Sequence, residues 1–471
     1  MRYSEINEKI IEALKGIVGK EGVLTDKVER EKYSCDEMLV PKPHLPNVVV
    51  KPKDKVTVAN ILSFANKERI PVTPRGAGTG ICGGSIPIFG GILLSLEKMN
   101  RILQVDKENF VAIVEPGVTL GDLYAAVEEH GLYYPLYPGE ISASIGGNVA
   151  TNAGGMRAVK YGVTRQFVLG VEAVLATGEI IETGGEFVKS STAYDLTQLL
   201  VGSEGTLAVI TKVILKLMTV PKRREVLFIP FANLRDAIKA ASDILKHGIF
   251  PTGIEFMEGE VVKLAEEYTG REIPYHDYDA FLLIILEAES EDEILRLAKH
   301  VEEVCTKNSA IDIFVPGSER AKRELLDARE KFLFGLKSFV SKHAGVIDVV
   351  DAVVPRHKIP EFVERAKKIS KKHEIPLFSF GHAGDGNIHL LPFMKDANED
   401  TWGRKSPSFF KEIYQMGVSL GGTISAEHGI GFERKKYLSI AIDEKQINIM
   451  KGIKRVFDPN NILNPGKIFD L

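Results

Sequence analysis

Residues 378–393 read FSFGHAGDGNIHLLPF and put two histidines, His382 and His389, seven positions apart. That odd separation would send the two rings to opposite faces of one straight strand, because strand side chains alternate with a period of two. Gly384-Asp385-Gly386-Asn387 between them reads as a tight turn, which folds the histidines back toward one point. Further on, GGTISAEHGIGFERKKYL sets Glu427 and His428 between glycine-bearing flanks. Two neutral imidazoles and a carboxylate suit a divalent transition metal that keeps positions open for a substrate. On residue types alone, the same group serves equally well as a structural polar network. His357 and His373 stand apart and read as ordinary hydrogen-bonding residues.

A second kind of chemistry belongs to two glycine-rich stretches. Residues 135–162, PLYPGEISASIGGNVATNAGGMRAVKYG, crowd glycines among small side chains with two amides, Asn148 and Asn152, and few charges. Such a stretch lets backbone N–H groups approach a bulky ligand closely, and its apolar Ile145, Val149 and Met156 set it apart from a flexible linker. The other stretch, RGAGTGICGGS at 75–85, follows a strand-like PVTP and can turn consecutive N–H groups toward a pyrophosphate. It is neither a P-loop nor a dinucleotide fingerprint. No Gly-Lys-Ser/Thr ends it, and the GGILLSLEKMN that follows is strand-like rather than helical.

The elements around these stretches come in recognisable order. An amphipathic helix carries Ile6, Ile10, Ile11, Leu14 and Ile17, and an extended segment with Pro41, Pro43 and Pro46 follows. NVVVKP, DKVTVANILSFANKERI and PVTP then read as a β–α–β unit. Strands GILLSL, ILQVD and FVAIVEPG come next, with a helix in TLGDLYAAVEEHG, paired strands in VLGVEAVLATGEIIETG, and the turn GSEGT before a long apolar strand. From residue 223 the texture changes to two β–α–β passes: EVLFIPF to PTGIEFM, and AFLLIILEA to AIDIFV. A helical region over Glu319 to Lys342, the apolar VIDVVDAVVP and a helix from Ile359 to His373 lead into the histidine segment. The expected division is 1–222, 223–420 and 421–471, with the last part returning to the first.

Composition bounds the possibilities. The 471 residues are 44% hydrophobic, ample for sizeable cores. Sixty Lys and Arg stand against 64 Asp and Glu, a net charge of −4 that gives no reason to expect nucleic acid or a polybasic membrane anchor. Cys35, Cys82 and Cys305 are too few for a four-cysteine iron–sulfur cluster and fit a reducing compartment. No apolar run reaches about 18 residues, so no membrane span is expected. The charged opening helix resembles neither a signal nor a transit peptide, and the expected location is cytoplasmic, peripheral to a membrane only through a partner.

PRGAGTGICGGS, YPGEISASIGGNVATNAGGMRAVKYG, GSEGTLAVIT and the terminal NPGK resemble the FAD-binding motifs of the vanillyl-alcohol oxidase and p-cresol methylhydroxylase superfamily. The likeness spans the chain and is nearest to the FAD subunit of glycolate oxidase and to FAD-dependent D-lactate and D-2-hydroxyglutarate dehydrogenases. It implies an α+β fold: a bipartite FAD-binding domain around an inserted α+β substrate, or cap, domain. Pro74, Arg75, Gly76, Ala77, Gly78, Thr79, Gly80, Gly84 and Ser85 would hold the pyrophosphate. Pro138, Gly139, Ser142, Ala143, Ser144, Gly147, Asn148, Asn152, Gly154, Gly155, Tyr161 and Gly162 would line the flavin and its phosphoribose chain. Glu204, Gly205, Leu207 and Ile210 would wrap the adenosine side, with Asn464 and Lys467 closing the pocket. The first loop offers Thr79 and no histidine, so the FAD is expected to be non-covalent.

The HAGDGNIH and AEHGIG segments match the family's metal motifs. The resemblance implies His382, His389 and Glu427 as ligands of zinc, manganese or iron, His428 as catalytic base, and Asn387 as a substrate contact. Arg329 in LLDAREKF would hold the substrate carboxylate. The apolar VVDAVV stands where hydroxyglutarate-type relatives carry a basic residue, favouring a small acid such as D-lactate or glycolate. The implied reaction is oxidation to the 2-oxo acid with hydride passing to flavin N5. Electrons would then go to an iron–sulfur subunit, an electron-transfer flavoprotein or a quinone. A non-catalytic flavin-carrying subunit and a flavin-free metal enzyme are the competing readings.

Overall fold

The computed structural model describes residues 3–471, which divide into two compact units. The first takes the chain up to Gly154, then Val163–Val220 and Glu427–Leu471; the second takes Gly155–Gly162 and Pro221–Ala426. The crossings thus fall after Val220 and Ala426 rather than at 222 and 420, and a short piece of the glycine-rich stretch belongs to the second unit.

In the first unit, a four-stranded sheet runs in the order Val23–Leu24, Val48–Val50, Ile92–Ser95, Val72–Arg75, the last three parallel. Helix Lys55–Glu68 makes the crossover between Val48–Val50 and Val72–Arg75. Asp54 caps its first turn by accepting the Thr57 N–H, and Arg69 ends it in the left-handed region. Val58, Ile61, Leu62 and Ala65 bury one face of this helix in a core shared with Val48, Val50, Ile92 and Leu94. The C-terminal tail joins the same core through Ile462 and Leu463. It adds alongside Val72, whose N–H donates to Ile462 O while its carbonyl accepts from Asn464 N, both at 2.7 Å. That edge pairing sets the strand that delivers the loop at 76–85. A second, antiparallel sheet of five strands is ordered Ile102–Asp106, Val111–Val114, Ala208–Lys216, Val168–Leu175, Ile180–Gly184.

In the second unit, seven antiparallel strands form one sheet. The order is Arg223–Phe231, Ala280–Ala288, Gly253–Glu258, Leu377–His382, Asn387–Met394, with Val346–Ile347 and Val350–Val353 both pairing the last. Ala280–Ala288, AFLLIILEA, is buried along its whole length, which explains its apolar run up to Leu286. Helices Leu234–Lys246 and Glu291–Lys307 begin at the caps Asn233 and Ser290. The expected strand AIDIFV reduces to isolated bridges from Ala310 to Phe231 and from Phe314 to Phe228. The helical region after Glu319 is two helices, Glu319–Glu330 and Phe332–Lys342. The piece Gly155–Gly162 is anchored by Tyr161, whose hydroxyl donates to Glu287 at 2.6 Å.

Candidate active site

The hairpin formed by Leu377–His382 and Asn387–Met394 does to the histidines what the turn residues predict. His382 pairs with Asn387 and Phe380 with His389, so the two rings share one sheet face diagonally. Within the turn, Gly386 N donates to His382 O at 3.0 Å and Asp385 Oδ1 accepts from Asn387 N at 3.1 Å. The rings meet edge to face, and their Nε2 atoms lie 3.5 Å apart. Both side chains are buried.

The flanking strands bring two carboxylates to the same face. Glu255 stands opposite His382, and its Oε1 lies 2.6 Å from His382 Nδ1. Its Oε2 accepts from Arg329 Nε at 3.1 Å and Nη2 at 2.6 Å. Complete burial opposes ionisation of Glu255. The charges of His382 and Arg329, with their hydrogen bonds, outweigh it and hold the carboxyl below its ordinary range. Asp351 stands opposite His389, its Oδ1 3.8 Å from His389 Nδ1. Asp351 also takes the Asn387 amide at 2.8 Å, and its Oδ2 takes Ser425 Oγ and Ala426 N, each at 2.9 Å.

Neither Glu255 nor Asp351 was expected as a site residue. Each is a carboxylate within an apolar stretch, a position that buries charge only when it is paired, and the pairing partner lies on another strand. Arg329 is buried rather than on a solvated helix face, and its Nε and Nη2 both donate to Glu255 Oε2. Asn387 likewise donates to Asp351 and to Ala352 O.

Two imidazoles bonded to one ion at about 2.1 Å and near-tetrahedral angles would hold their nitrogens about 3.4 Å apart. The observed spacing, and the carboxylate on the far ring nitrogen of His382, therefore fit a metal-binding donor set.

Glu427 and His428 open the return of the chain to the first unit. Glu427 lies against the glycine-rich stretch: a Cβ at Gly154 would come within 2.7 Å of its Oε2. His428 Nε2 is 3.7 Å from Glu427 Oε1. The residues that follow are tied to Glu204, whose carboxylate accepts the N–H groups of Ile430 and Gly431, each at 2.7 Å. Gly429 adopts φ +84°, and a Cβ there would stand 2.9 Å from Glu204 Oε1, so the turn needs glycine. The Glu204 carboxylate thus holds the segment after His428.

The remaining cofactor candidates gather in the first unit, except Gly155, Tyr161 and Gly162, which lie in the second. Ser144 caps helix Ile145–Thr151 and its Oγ also accepts Ala77 N at 3.2 Å, drawing the two glycine stretches together. Arg75 Nη1 donates to Cys35 O at 2.6 Å and Ser85 Oγ at 3.3 Å. Asn152 Oδ1 receives Arg165 N, Asn464 bridges Gly84 O and Glu204 O, and Lys467 Nζ donates to Ile86 O. Leu207 and Ile210 are buried. Among the buried polar atoms with no hydrogen-bond partner in the described residues, two lie at the glycine-rich stretches: Asn148 Nδ2, and Oδ2 of Asp36 beside Gly80. Burial pushes the Asp36 carboxyl up to about 6. A donor and an acceptor left open among small residues fit a large polar ligand such as FAD. Among the described residues no helix is long and apolar enough to cross a membrane.

The sequence matches the family described as FAD linked oxidases, C-terminal domain, over residues 220–468, and the FAD binding domain over residues 46–184. A D-lactate dehydrogenase of Anaerostipes hadrus is 39% identical, covering 99% of this chain and 98% of that protein. The glycolate oxidase subunit GlcD of Bacillus subtilis (strain 168) is 37% identical, covering 98% and 97%. The crystal structure of p-cresol methylhydroxylase with substrate bound superposes with a TM-score of 0.79 at 20% identity, covering 98% and 96%, and shows the shared fold. The chain therefore belongs to the FAD-linked oxidase family and is an FAD-dependent oxidoreductase of the kind that includes D-lactate dehydrogenases and glycolate oxidase subunits.

Proposed function

We propose that this enzyme oxidises a small D-2-hydroxy acid, D-lactate or glycolate, to the 2-oxo acid, using non-covalent FAD and a divalent metal. Its electrons pass to a separate acceptor such as an iron–sulfur subunit, an electron-transfer flavoprotein or a quinone. The observation that carries the reading is the pair of buried histidines with Nε2 atoms 3.5 Å apart, the His382 ring backed by the Glu255 carboxylate. When bound, FAD takes up two electrons and the metal polarises the hydroxyl and carboxylate of the substrate.

The chain's own residues do the rest. His382 and His389 are the imidazole ligands in this reading, and Glu427 is the third. The Ala426 N–H anchored on Asp351, directly before Glu427 in the chain, supports that assignment. His428 is the general base, an imidazole whose ring nitrogen can accept the substrate's hydroxyl proton. Glu204 holds the turn that follows it. Strand Val350–Val353 carries Asp351 and no basic residue, which favours a monocarboxylate substrate. Cys82 is buried against Arg434, and no histidine stands in residues 75–85, in keeping with non-covalent FAD.

The test is anaerobic. Protein loaded with FAD and metal is mixed with D-lactate, L-lactate, glycolate or D-2-hydroxyglutarate while flavin absorbance is followed. Bleaching by D-lactate or glycolate, abolished by chelator and in His428→Ala, is expected. No bleaching by any of the four in fully loaded protein would sink the reading and leave a flavin-carrying subunit in its place.

A further inference from the structure

We infer that Glu255 and Arg329 form a positioning pair that sets the proton of His382 on Nδ1 and so keeps Nε2 open as a ligand atom. The inference rests on the reading of His382 and His389 as metal ligands and adds two residues to it.

The geometry is one-directional. With two Arg329 N–H donors on Oε2, Glu255 is arranged as an acceptor, and its Oε1 at 2.6 Å from His382 Nδ1 takes the hydrogen bond of a proton on that nitrogen. In a neutral ring, Nε2 is then a lone pair, and it faces His389 Nε2 at 3.5 Å. Arg329 keeps Glu255 in this task by taking the other oxygen through Nε and Nη2. Arg329 is itself held over the Phe380 ring, 4.8 Å from its centroid, on the strand that ends at His382. Glu255 is wholly buried and stands opposite His382 in register, which keeps the two side chains together. As a stability device this arrangement would be poor, because a buried ion pair gains little over apolar residues of similar volume. As a tautomer lock it is well made.

Glu255→Gln is the informative substitution. The Gln carbonyl must face the Arg329 cation, which turns its NH2 toward His382 Nδ1. That nitrogen then has to accept, and the ring proton moves to Nε2, the ligand atom. Metal-stripped, FAD-loaded full-length protein would be titrated calorimetrically with Zn2+ and with Mn2+. The ring tautomers would be read from long-range 15N–1H correlations in 15N-histidine protein. In Glu255→Gln we expect about 10- to 100-fold weaker metal binding, with the His382 proton shifted from Nδ1 to Nε2. Metal affinity within twofold of wild type and an unchanged tautomer would overturn the inference. The control is His389→Ala. Uptake lost there but intact in Glu255→Gln defeats the positioning pair alone, whereas wild-type protein that takes up neither ion defeats the metal reading and the inference together. Should Glu255→Gln fail to fold, Glu255→Leu with Arg329→Met removes both buried charges at once, and the same loss of affinity is expected from it.

Discussion

Glu204 holds Gly431 by a 2.7 Å hydrogen bond from the Gly431 N–H to Oε2, and its Oε1 holds the neighbouring Ile430 N–H at the same distance. These two bonds fix the backbone immediately after His428. Burial raises the Glu204 carboxyl above its ordinary range, opposed by the two N–H donors and by the charges of Lys467 and Arg434. Removing the acceptor in Glu204→Ala leaves two N–H groups unsatisfied and lets the turn drift. Misplacement by about 1 Å can cost about 100-fold, so kcat should fall by about 10- to 100-fold with a smaller change in KM. Steady-state kinetics on fully FAD-loaded protein check this. An unchanged kcat would show that the turn does not depend on Glu204.

Lys467 gives a pH signature. Burial lowers its pKa from 10.5 to about 7, only partly offset by the Glu204 and Asp36 carboxylates. A lysine whose folded pKa is depressed binds its proton more weakly in the folded state. Its penalty is therefore full below about pH 7 and is relieved as pH rises toward 10.5. Between pH 8 and 9 the FAD-free wild type should gain about 1.4 kcal/mol per pH unit relative to Lys467→Met. Urea unfolding of both proteins across that range reads the slope, and parallel pH profiles would refute the assignment.

How much of this was legible in the chain depends on how local each signal is. The hairpin at 377–394 was legible because its turn residues and flanking strands lie within one short segment. The crossover Val48–Arg75 and the strands through Lys216 were legible for the same reason. Glu255 and Asp351 were not, since a carboxylate in an apolar stretch acquires its meaning from the antiparallel register that sets it opposite His382 or His389. That register links residues over a hundred positions apart for Glu255 and cannot be read from spacing. Arg329 shows the same limit: its type suggested a carboxylate partner, and its contact with Glu255, 74 positions away, was not readable from spacing. AIDIFV has strand-like composition yet forms only two bridges at the edge of its sheet.

Glu287 should mark the acid limit of the second unit. Burial would raise its carboxyl, but the hydrogen bond from Tyr161, the Arg224 guanidinium and Thr252 hold it down to about 2. A carboxyl depressed from 4.5 to that value contributes about 3 kcal/mol, present above pH 4.5 and lost as pH falls through about 2. Glu287→Gln should lack this component. Its stability should fall less than that of the wild type between pH 4.5 and 3 in thermal or urea unfolding. Tyr161→Phe removes the first of the opposing contacts and should shift the wild-type loss to higher pH. Equal acid profiles for all three proteins would contradict the assignment.

The C-terminal tail hangs on Lys454. Its buried ammonium donates to Thr206 O at 2.6 Å and Leu463 O at 2.8 Å and is paired with Asp458. Asp458 in turn accepts the N–H groups of Ile462 and Leu463 at 2.9 and 2.8 Å. Lys454→Met leaves that carboxylate buried without its counter-charge, which should cost about 3–5 kcal/mol. The damage should not stay local. Ile462 and Asn464 pair with Val72 on the strand that delivers the loop at 76–85, and Asn464 and Lys467 reach Gly84 and Ile86. Lys454→Met should therefore lose FAD on gel filtration more readily than wild type. Truncation after Pro459, which removes the pairing segment entirely, should lose it almost completely. Restoring the charge balance in Lys454→Met/Asp458→Asn should recover part of the stability, while tight FAD retention by the truncated protein would show that the tail is not part of what holds the flavin.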